Sequence, residues 1–419
     1  MRILYLCPDL GIPVLGCKGA SVHVRGLVAA LCRAGHSVIL VTPLLNKSPW
    51  EEPACTEARL LHLPPSADSA AAFLALNTFN HTLGVENSLP GELRRILYNQ
   101  DMLIQLLRRF DNDPPDFIYE RASLYATAGV SLARELHVPR IVELNAPLAL
   151  EQSVYRTTGL GELAVQAERY TLSQAGAVLA VSAALRDHAM SLGVAPERLH
   201  VVPNGADASL FRPHPPDRAV RRRWGLDGGP VLGYVGGLRR WHGVEALPPL
   251  LERLGQRYGG LRLVIVDNGP LRGELERDLR ERGLERLVVF TGVRPHEEVV
   301  ALIGQFDVAL APYAHLDHAF YFSPLKLFEY MACGVPVVAA ASGQIAEVVH
   351  DGATGLLYPP GDLEALTAAC DRLLADSALR QRLGQAGARE IHSQYTWDHN
   401  AARVTELACS LMAARGGDR

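Results

Sequence analysis

The run Ser323-Pro-Leu-Lys-Leu-Phe-Glu-Tyr-Met-Ala-Cys-Gly334 holds the densest set of groups able to do chemistry. Ser323 is a good helix N-cap, Pro324 suits the first helical position, and Gly334 suits the residue just past a helix end. The run therefore predicts a short helix whose first turn offers free N–H donors. Such an end binds phosphate through those donors and the helix dipole. Leu325 lies in that turn, and Lys326 adds a full positive charge to it. Glu329 follows three residues later on the same face. Pro324 to Glu329 spans about 7–8 Å of helix, which matches the separation between a nucleotide's diphosphate and its ribose hydroxyls. An ionised carboxylate placed there accepts from both hydroxyls of the diol. The plainer alternative is an ordinary i,i+3 Lys326–Glu329 ion pair on a helix surface.

Three further segments set polar groups at the ends of apolar runs. In the loop from Pro8 to Ser21, Gly16 and Gly19 allow a ligand to approach the backbone closely. Ser21 is placed to cap the helix that follows, and that helix carries His23. The loop fits neither G-x-x-x-x-G-K-[ST] nor G-x-G-x-x-G. In Tyr234-Val-Gly-Gly-Leu-Arg-Arg-Trp-His-Gly243, Gly237 and Arg239 follow a strand, with Arg239 in reach of a phosphate. His242 is either a ligand group or a locally bonded histidine at a helix start. Tyr119-Glu-Arg121 and Glu143-Leu-Asn145 put Glu120, Arg121, Glu143 and Asn145 where buried strands end. Those groups suit a hydroxylated acceptor, proton transfer, or plain capping. His315-Leu-Asp-His318 has no second Cys/His cluster nearby, so no metal is expected there. The sequence contains no G-x-S-x-G or H-E-x-x-H, which leaves hydrolase and zincin readings without support.

The elements that must position these groups are short β-rich runs alternating with longer helical patterns. The runs extend from Ile3–Cys7 to Val337–Ala340, with helices such as Val22–Arg33, Glu92–Arg109, Leu124–Leu136 and Leu363–Leu374 between them. That alternation is the signature of βαβ units on a parallel sheet. Continuous Val/Ile/Leu strands are those of sheets covered on both faces. Arg212-Pro-His-Pro-Pro-Asp217 cannot sit inside a helix or a central strand and predicts a linker. The fold class expected is α/β, with two doubly wound Rossmann-like domains. Residues 1–211 form one domain and 212–394 the other, and 395–419 return to the first. Ligands in such sheets bind beyond the carboxyl ends of the strands, where the motifs lie.

A chain of 419 residues with 48% hydrophobic and 21% charged residues is an ordinary globular protein of two or three domains. The net charge of −4 argues against a nucleic-acid partner. Arg221-Arg222-Arg223 reads as the solvated face of a short helix. The seven cysteines, Cys55 among them, form no C-x-x-C pair and predict buried thiols in a reducing, cytoplasmic setting. The apolar start Met1–Cys7 is broken at Pro8-Asp9, unlike a signal peptide. No stretch of about 18 apolar residues occurs, so any membrane contact would be peripheral.

The segment from Ser323 to Val338 resembles the donor-binding segment of family 4 retaining glycosyltransferases of the GT-B fold. Lys18-Gly-Ala-Ser-Val-His-Val24 resembles the family's first glycine loop and helix. Ala177–Ser182 and Val202–Phe211 resemble its signature before the linker, and Asp351–Asp362 its late loop. The resemblance implies two domains facing across a cleft, a nucleotide diphosphate sugar as donor, and no metal or other cofactor. The acceptor would be a small molecule, lipid, glycan or protein held mainly by the N-terminal domain. Glu329 corresponds to the second glutamate of the family's E-x7-E motif, which holds the ribose. The first, which usually contacts the donor sugar, falls at Tyr321. The family's diphosphate-binding arginine–lysine pair falls at Gly237 and His242. In this subgroup, with Trp-His-Gly and Ser-Pro-Leu-Lys in those places, Arg239 and Lys326 are expected to supply the charge instead. The expected catalytic set is Arg239, Lys326, His23 and Glu120. Gly19, Gly237, His242, Gly292, Tyr321, Ser323, Pro324, Leu325 and Glu329 are expected around the donor, with Glu143 and Asn145 on the acceptor. Two rival functions remain: a nucleotide-sugar-binding protein that does not transfer, motivated by Tyr321, and an NAD-dependent Rossmann enzyme, which lacks its glycine fingerprint here.

Overall fold

The computed structural model describes residues 1–47, 57–155 and 158–416; Cys55 lies outside them. The chain divides into two compact units, Met1–Pro203 with Asn400–Arg419, and Asn204–His399.

In the first unit seven strands form one sheet. They are β1 (Arg2–Leu6), β2 (Ser37–Thr42), β3 (Arg59–His62), β4 (Phe117–Arg121), β5 (Arg140–Leu144), β6 (Ala177–Ala180) and β7 (Leu199–Val201). All pair in parallel, in the order β3-β2-β1-β4-β5-β6-β7. β4 and β5 are buried along their whole length, as a sheet covered on both faces requires.

The second unit repeats the plan with β8 (Val231–Val235), β9 (Arg262–Val266), β10 (Val288–Gly292), β11 (Val308–Ala311), β12 (Val337–Ala340) and β13 (Leu356–Tyr358). The order is β10-β9-β8-β11-β12-β13, again all parallel. In both sheets the chain reverses its direction of growth at one place, between β1 and β4 and between β8 and β11. Such switch points open the crevice in which doubly wound sheets bind ligands.

The division of the chain corrects the expected boundaries at 211/212 and 394/395. Ala206 bridges Thr396 in parallel, and its N–H donates to the Tyr395 carbonyl at 2.9 Å. Phe211 is sunk in the second unit's core. The proline-rich stretch is not a free linker, because Pro213 packs against Gly334 and His214 against Gly304. The expected helix Leu124–Leu136 begins only at Ala128. Tyr125 adopts a φ of 64°, and Asn99 Oδ1 accepts from the N–H groups of Thr127 and Ala128, so the cap comes from another helix. Helix Ala67–Leu83 and the three-residue β13 escaped the sequence reading. Among the described residues six cysteines are free thiols; Cys409 is exposed and Cys17 half-buried, so not all are buried as expected. No helix of the described residues is long and apolar enough to cross a membrane.

Candidate functional site

The second unit holds every expected donor residue but Gly19: those from Tyr321 to Glu329 follow β11, and Gly237, His242 and Gly292 lie at the carboxyl ends of β8 and β10, which flank that of β9. These ends are laced by backbone bonds, with Gly236 N–H donating to Val266 O, Leu238 N–H to Asn268 O, and Asp267 N–H to Gly292 O. Gly237 and Gly292 thus belong to one rim. Against it stands the helix Leu325–Ala332, whose residues from Lys326 to Ala332 are all buried. Four of them, Leu327, Phe328, Met331 and Ala332, are fully apolar core. A helix submerged in this way has no solvent for its Lys326 and Glu329, which are 8% and 7% exposed. Ionisable groups are seldom so buried without partners.

The two charges do not satisfy each other, and no ion pair joins them. Lys326 Nζ donates to the Tyr234 hydroxyl at 3.1 Å and lies 4.2 Å from the centre of the Tyr234 ring and 5.4 Å from that of Tyr313. Burial brings its pKa down to about 7, against the opposing pull of Asp267 and Glu329. Glu329 turns the other way, with Oε1 3.2 Å from His296 Nε2.

Around Lys326 the loop after β8 supplies the rest. His242 Nδ1 lies 2.6 Å from the Gly237 carbonyl. A carbonyl only accepts, so Nδ1 carries the proton and Nε2 is left as an acceptor. Burial first, then the charges of Lys326 and Arg239, push the His242 pKa to about 3, against the opposing effect of that carbonyl. At neutral pH His242 therefore brings no positive charge. Arg239 is exposed and stacks on Trp241 at 5.1 Å, so its charge sits at the outer edge. Two glycines are sterically required. A Cβ on Gly236, at φ 134°, would lie 2.6 Å from Lys326 Nζ, and one on Gly243, at φ 66°, would lie 1.8 Å from the Pro312 oxygen.

Ser323 does not cap the helix as expected; Pro324 occupies the N-cap position and Leu325 begins the helix. The Ser323 hydroxyl instead accepts from the Asn204 N–H at 2.9 Å, and its carbonyl accepts from the Asn204 side chain at 2.6 Å. That pair pins the approach to the helix, which leaves the helix start without a side-chain cap. Gly334, at φ 73°, follows the helix end as expected. Tyr321 is buried and stacked on His318, with ring centres 5.4 Å apart.

The sequence reading missed Tyr234, Tyr313, His296 and Asp267. Asp267 has a φ of 107°, rare for a residue with a side chain, and such strain concentrates at functional sites. Burial raises its pKa, while Asn268 N–H, Lys326 and Arg239 pull it back. The turn sequence Asp267-Asn-Gly-Pro270 directly after β9 was the available signal.

In the first unit the ends of β4 and β5 and the helix Gly19–Arg33 build a second polar cluster. Gly19 opens that helix after Lys18; Ser21 lies within it and does not cap it. His23 Nε2 is 2.7 Å from Glu143 Oε1, and Arg121 reaches Glu143 Oε2 at 3.4 Å. Burial would raise the Glu143 pKa, but His23, Arg121 and Asn145 together outweigh it and hold the carboxyl at about 2. Glu120 departs from its expected catalytic place. It is fully buried, bonded to Arg140 at 2.6 Å, and packed so closely under Gly129 that a Cβ there would lie 2.0 Å from it. Successive residues of a strand face opposite sides, so Glu120 points into packing while Arg121 joins Glu143.

Residues 18–210 match the family described as glycosyltransferase family 4, and residues 217–390 match glycosyl transferases group 1. The chain is 26% identical to a glycogen synthase of Mycobacterium tuberculosis over 426 residues, covering 100% of this chain and 96% of that one. It is 34% identical over 250 residues to a GDP-mannose-dependent alpha-(1-6)-phosphatidylinositol monomannoside mannosyltransferase of Mycolicibacterium smegmatis, covering 59% of this chain and 62% of that one. Sucrose-phosphate synthase from Thermosynechococcus elongatus shares the fold, with a TM-score of 0.70 at 21% identity over 99% of this chain and 100% of that one. Both sheets, both matched segments and their order in the chain agree, and the chain belongs to the glycosyltransferases of the GT-B fold.

Proposed function

We propose that the protein is a retaining glycosyltransferase that moves a sugar from a nucleoside diphosphate sugar to an acceptor hydroxyl. The observation that carries this reading is the buried helix Leu325–Ala332, whose two charged groups turn to different partners at the ends of β8–β10. A cation and a carboxylate one helical turn apart suit a diphosphate and a ribose diol. The name of the mannosyltransferase relative, which specifies a GDP-sugar donor, supports a donor of this class.

In this reading the bond from the sugar C1 to the diphosphate oxygen breaks through an oxocarbenium-like state. The acceptor oxygen bonds C1 on the same face, and its proton passes to the departing phosphate oxygen. The products are the glycosylated acceptor and the nucleoside diphosphate. Lys326, Arg239 and the uncapped helix start stabilise the leaving diphosphate where its charge develops. These fixed donors take the place of a metal, so transfer persists in EDTA. Glu143, with His23, Arg121 and Asn145 around it, is assigned to the acceptor hydroxyl.

The test is incubation with UDP-, GDP- and ADP-sugars and mixed acceptors, reading nucleoside diphosphate release and the anomeric configuration of the product. An α-linked product from an α-linked donor is expected. A β-linked product overturns retention. Donor binding without any product favours the second reading, a nucleotide-sugar-binding protein, which rests on Tyr321 being buried against His318.

A further inference from the structure

We propose that His296 is a positioning residue for the nucleotide: it fixes the plane of the Glu329 carboxylate so that its remaining acceptor positions meet the ribose diol. The inference rests on the ribose role of Glu329 and adds a residue that no motif marked.

His296 opens the helix His296–Ile303, directly after the β10 rim formed by Gly292 to Pro295. Its Nε2 is 3.2 Å from Glu329 Oε1. An ionised carboxylate only accepts, so Nε2–H donates and the tautomer is set by Glu329. Glu329 is the inner member of the pair, with its side chain 9% exposed against 23% for His296. The imidazole is itself held by Phe211, whose ring is tilted against it with centroids 5.1 Å apart. Phe211 is 1% exposed and belongs to the core. A rigid ring therefore holds the donor, and the donor holds the carboxylate.

The terminal torsion of a glutamate is broad and roughly two-fold. A diol must be met by both carboxylate oxygens in one plane, so a freely turning carboxylate loses freedom on binding. A side chain already ordered by its neighbours avoids that loss. One donor on Oε1 leaves that oxygen a second lone pair and leaves Oε2 open to the ligand. Lys326 engages Tyr234 and does not compete for Glu329.

The experiment compares wild type, His296→Phe, His296→Gln and Glu329→Ala by calorimetric titration with UDP, GDP and ADP and their 2′,3′-dideoxy forms. Phenylalanine keeps the ring against Phe211 but cannot donate, and glutamine restores a donor. The expected result is that His296→Phe weakens binding of the ribose diphosphate about tenfold. The dideoxy form should change by less than about twofold, and His296→Gln should recover most of the loss. If Glu329→Ala abolishes the preference for ribose while His296→Phe keeps it, the positioning role is wrong and the ribose assignment stands. If Glu329→Ala keeps the wild-type preference, or wild type binds none of the three diphosphates, the ribose assignment and this inference fall together. Equal losses for ribose and dideoxy ligands in both His296 variants would mean a structural role only, and would overturn the proposal.

Discussion

Lys326 is tied to Tyr234 twice, by a 3.1 Å hydrogen bond from Nζ to the hydroxyl and by the ring face 4.2 Å beneath the ammonium. Tyr234 in turn donates to the Gly237 carbonyl at 3.1 Å, and His242 donates to the same oxygen at 2.6 Å. Lys326 is thus held by neutral groups. Its carboxylate neighbours, Asp267 and Glu329, raise its pKa but do not overcome burial, which leaves it at about 7.

A first prediction follows from that value. Below pH 7 Lys326 is charged, and above it the neutral amine must take up a proton when a diphosphate binds. UDP or GDP affinity should therefore fall as pH rises above 7, by up to about tenfold per unit. Binding near pH 8 should take up a proton, measurable by calorimetry in buffers of different ionisation heat. Tyr234→Phe removes an acceptor that favours the charged form, so it should move the fall to lower pH. Affinity that stays flat from pH 6 to 9 would show that Lys326 does not meet the phosphates.

A second prediction sets function against stability. Lys326→Met keeps the length of the side chain without the charge. Turnover should drop by about 10²–10³-fold, the usual cost of one lost transition-state donor. The variant should also be more stable, since a lysine at pKa about 7 when folded and 10.5 when unfolded binds more protons unfolded. The penalty of Lys326 is full below pH 7 and vanishes above about 10.5. A gain of about 1–2 kcal/mol at pH 7 should shrink towards zero by pH 10. Thermal melts of both proteins across that range check the sign.

What was legible in the sequence, and what was not, has a physical division. The strands could be read because parallel strands buried on both faces are continuous apolar runs rich in Val, Ile and Leu, as Ser37–Thr42 and Arg262–Val266 show. The helix Leu325–Ala332 could be read from its proline entry and Gly334 exit. Its exact cap could not, because Ser323 is drawn off by Asn204, which lies 119 residues away in the chain. Glu120 was misplaced because adjacent strand residues face opposite sides, and sequence alone did not say whether Glu120 or Arg121 faced the cluster. His296 and Tyr234 were invisible for another reason. Each acts through side-chain contacts to a helix distant in the chain, unmarked by any local pattern.

A third prediction separates the two glycines near Lys326. At Gly243 an added Cβ meets backbone, 1.8 Å from the Pro312 oxygen, and the loops after β8 and β11 would have to part. Gly243→Ala should therefore lower stability by at least about 1–3 kcal/mol from backbone strain alone. At Gly236 the nearest atom is the tip of a flexible side chain, Lys326 Nζ, at 2.6 Å. Gly236→Ala should displace the ammonium and hurt diphosphate affinity more, relative to its stability cost, than Gly243→Ala does. Denaturant midpoints and UDP titrations on both variants give the two ratios. Equal ratios would remove Gly236 from the phosphate site.

The last prediction contrasts the two buried glutamates of the first unit. Glu120 is bonded to Arg140 at 2.6 Å, and Arg140 also donates to the Thr171 carbonyl at 2.5 Å. Glu120→Ala leaves that guanidinium without its carboxylate, a loss that costs about 3–5 kcal/mol when a buried pair is broken. Turnover per folded molecule should stay near that of wild type, because the pair lies under Gly129, on the side of β4 opposite to Arg121, which reaches Glu143. Glu143→Gln should do the reverse to activity, removing the anion assigned to the acceptor hydroxyl. Its effect on stability should depend on pH in a definite sense. Glu143 has a folded pKa of about 2 against an ordinary value of 4.5, so its contribution is present above 4.5 and is lost as pH falls toward 2. The gap in urea midpoint between wild type and Glu143→Gln should be constant from pH 7 to about 5 and should narrow below about 4.5. A gap that widened in acid would mean that the ionised Glu143 is not stabilised by His23, Arg121 and Asn145. Full activity in Glu143→Gln, together with loss of specific activity in Glu120→Ala, would reverse the two assignments.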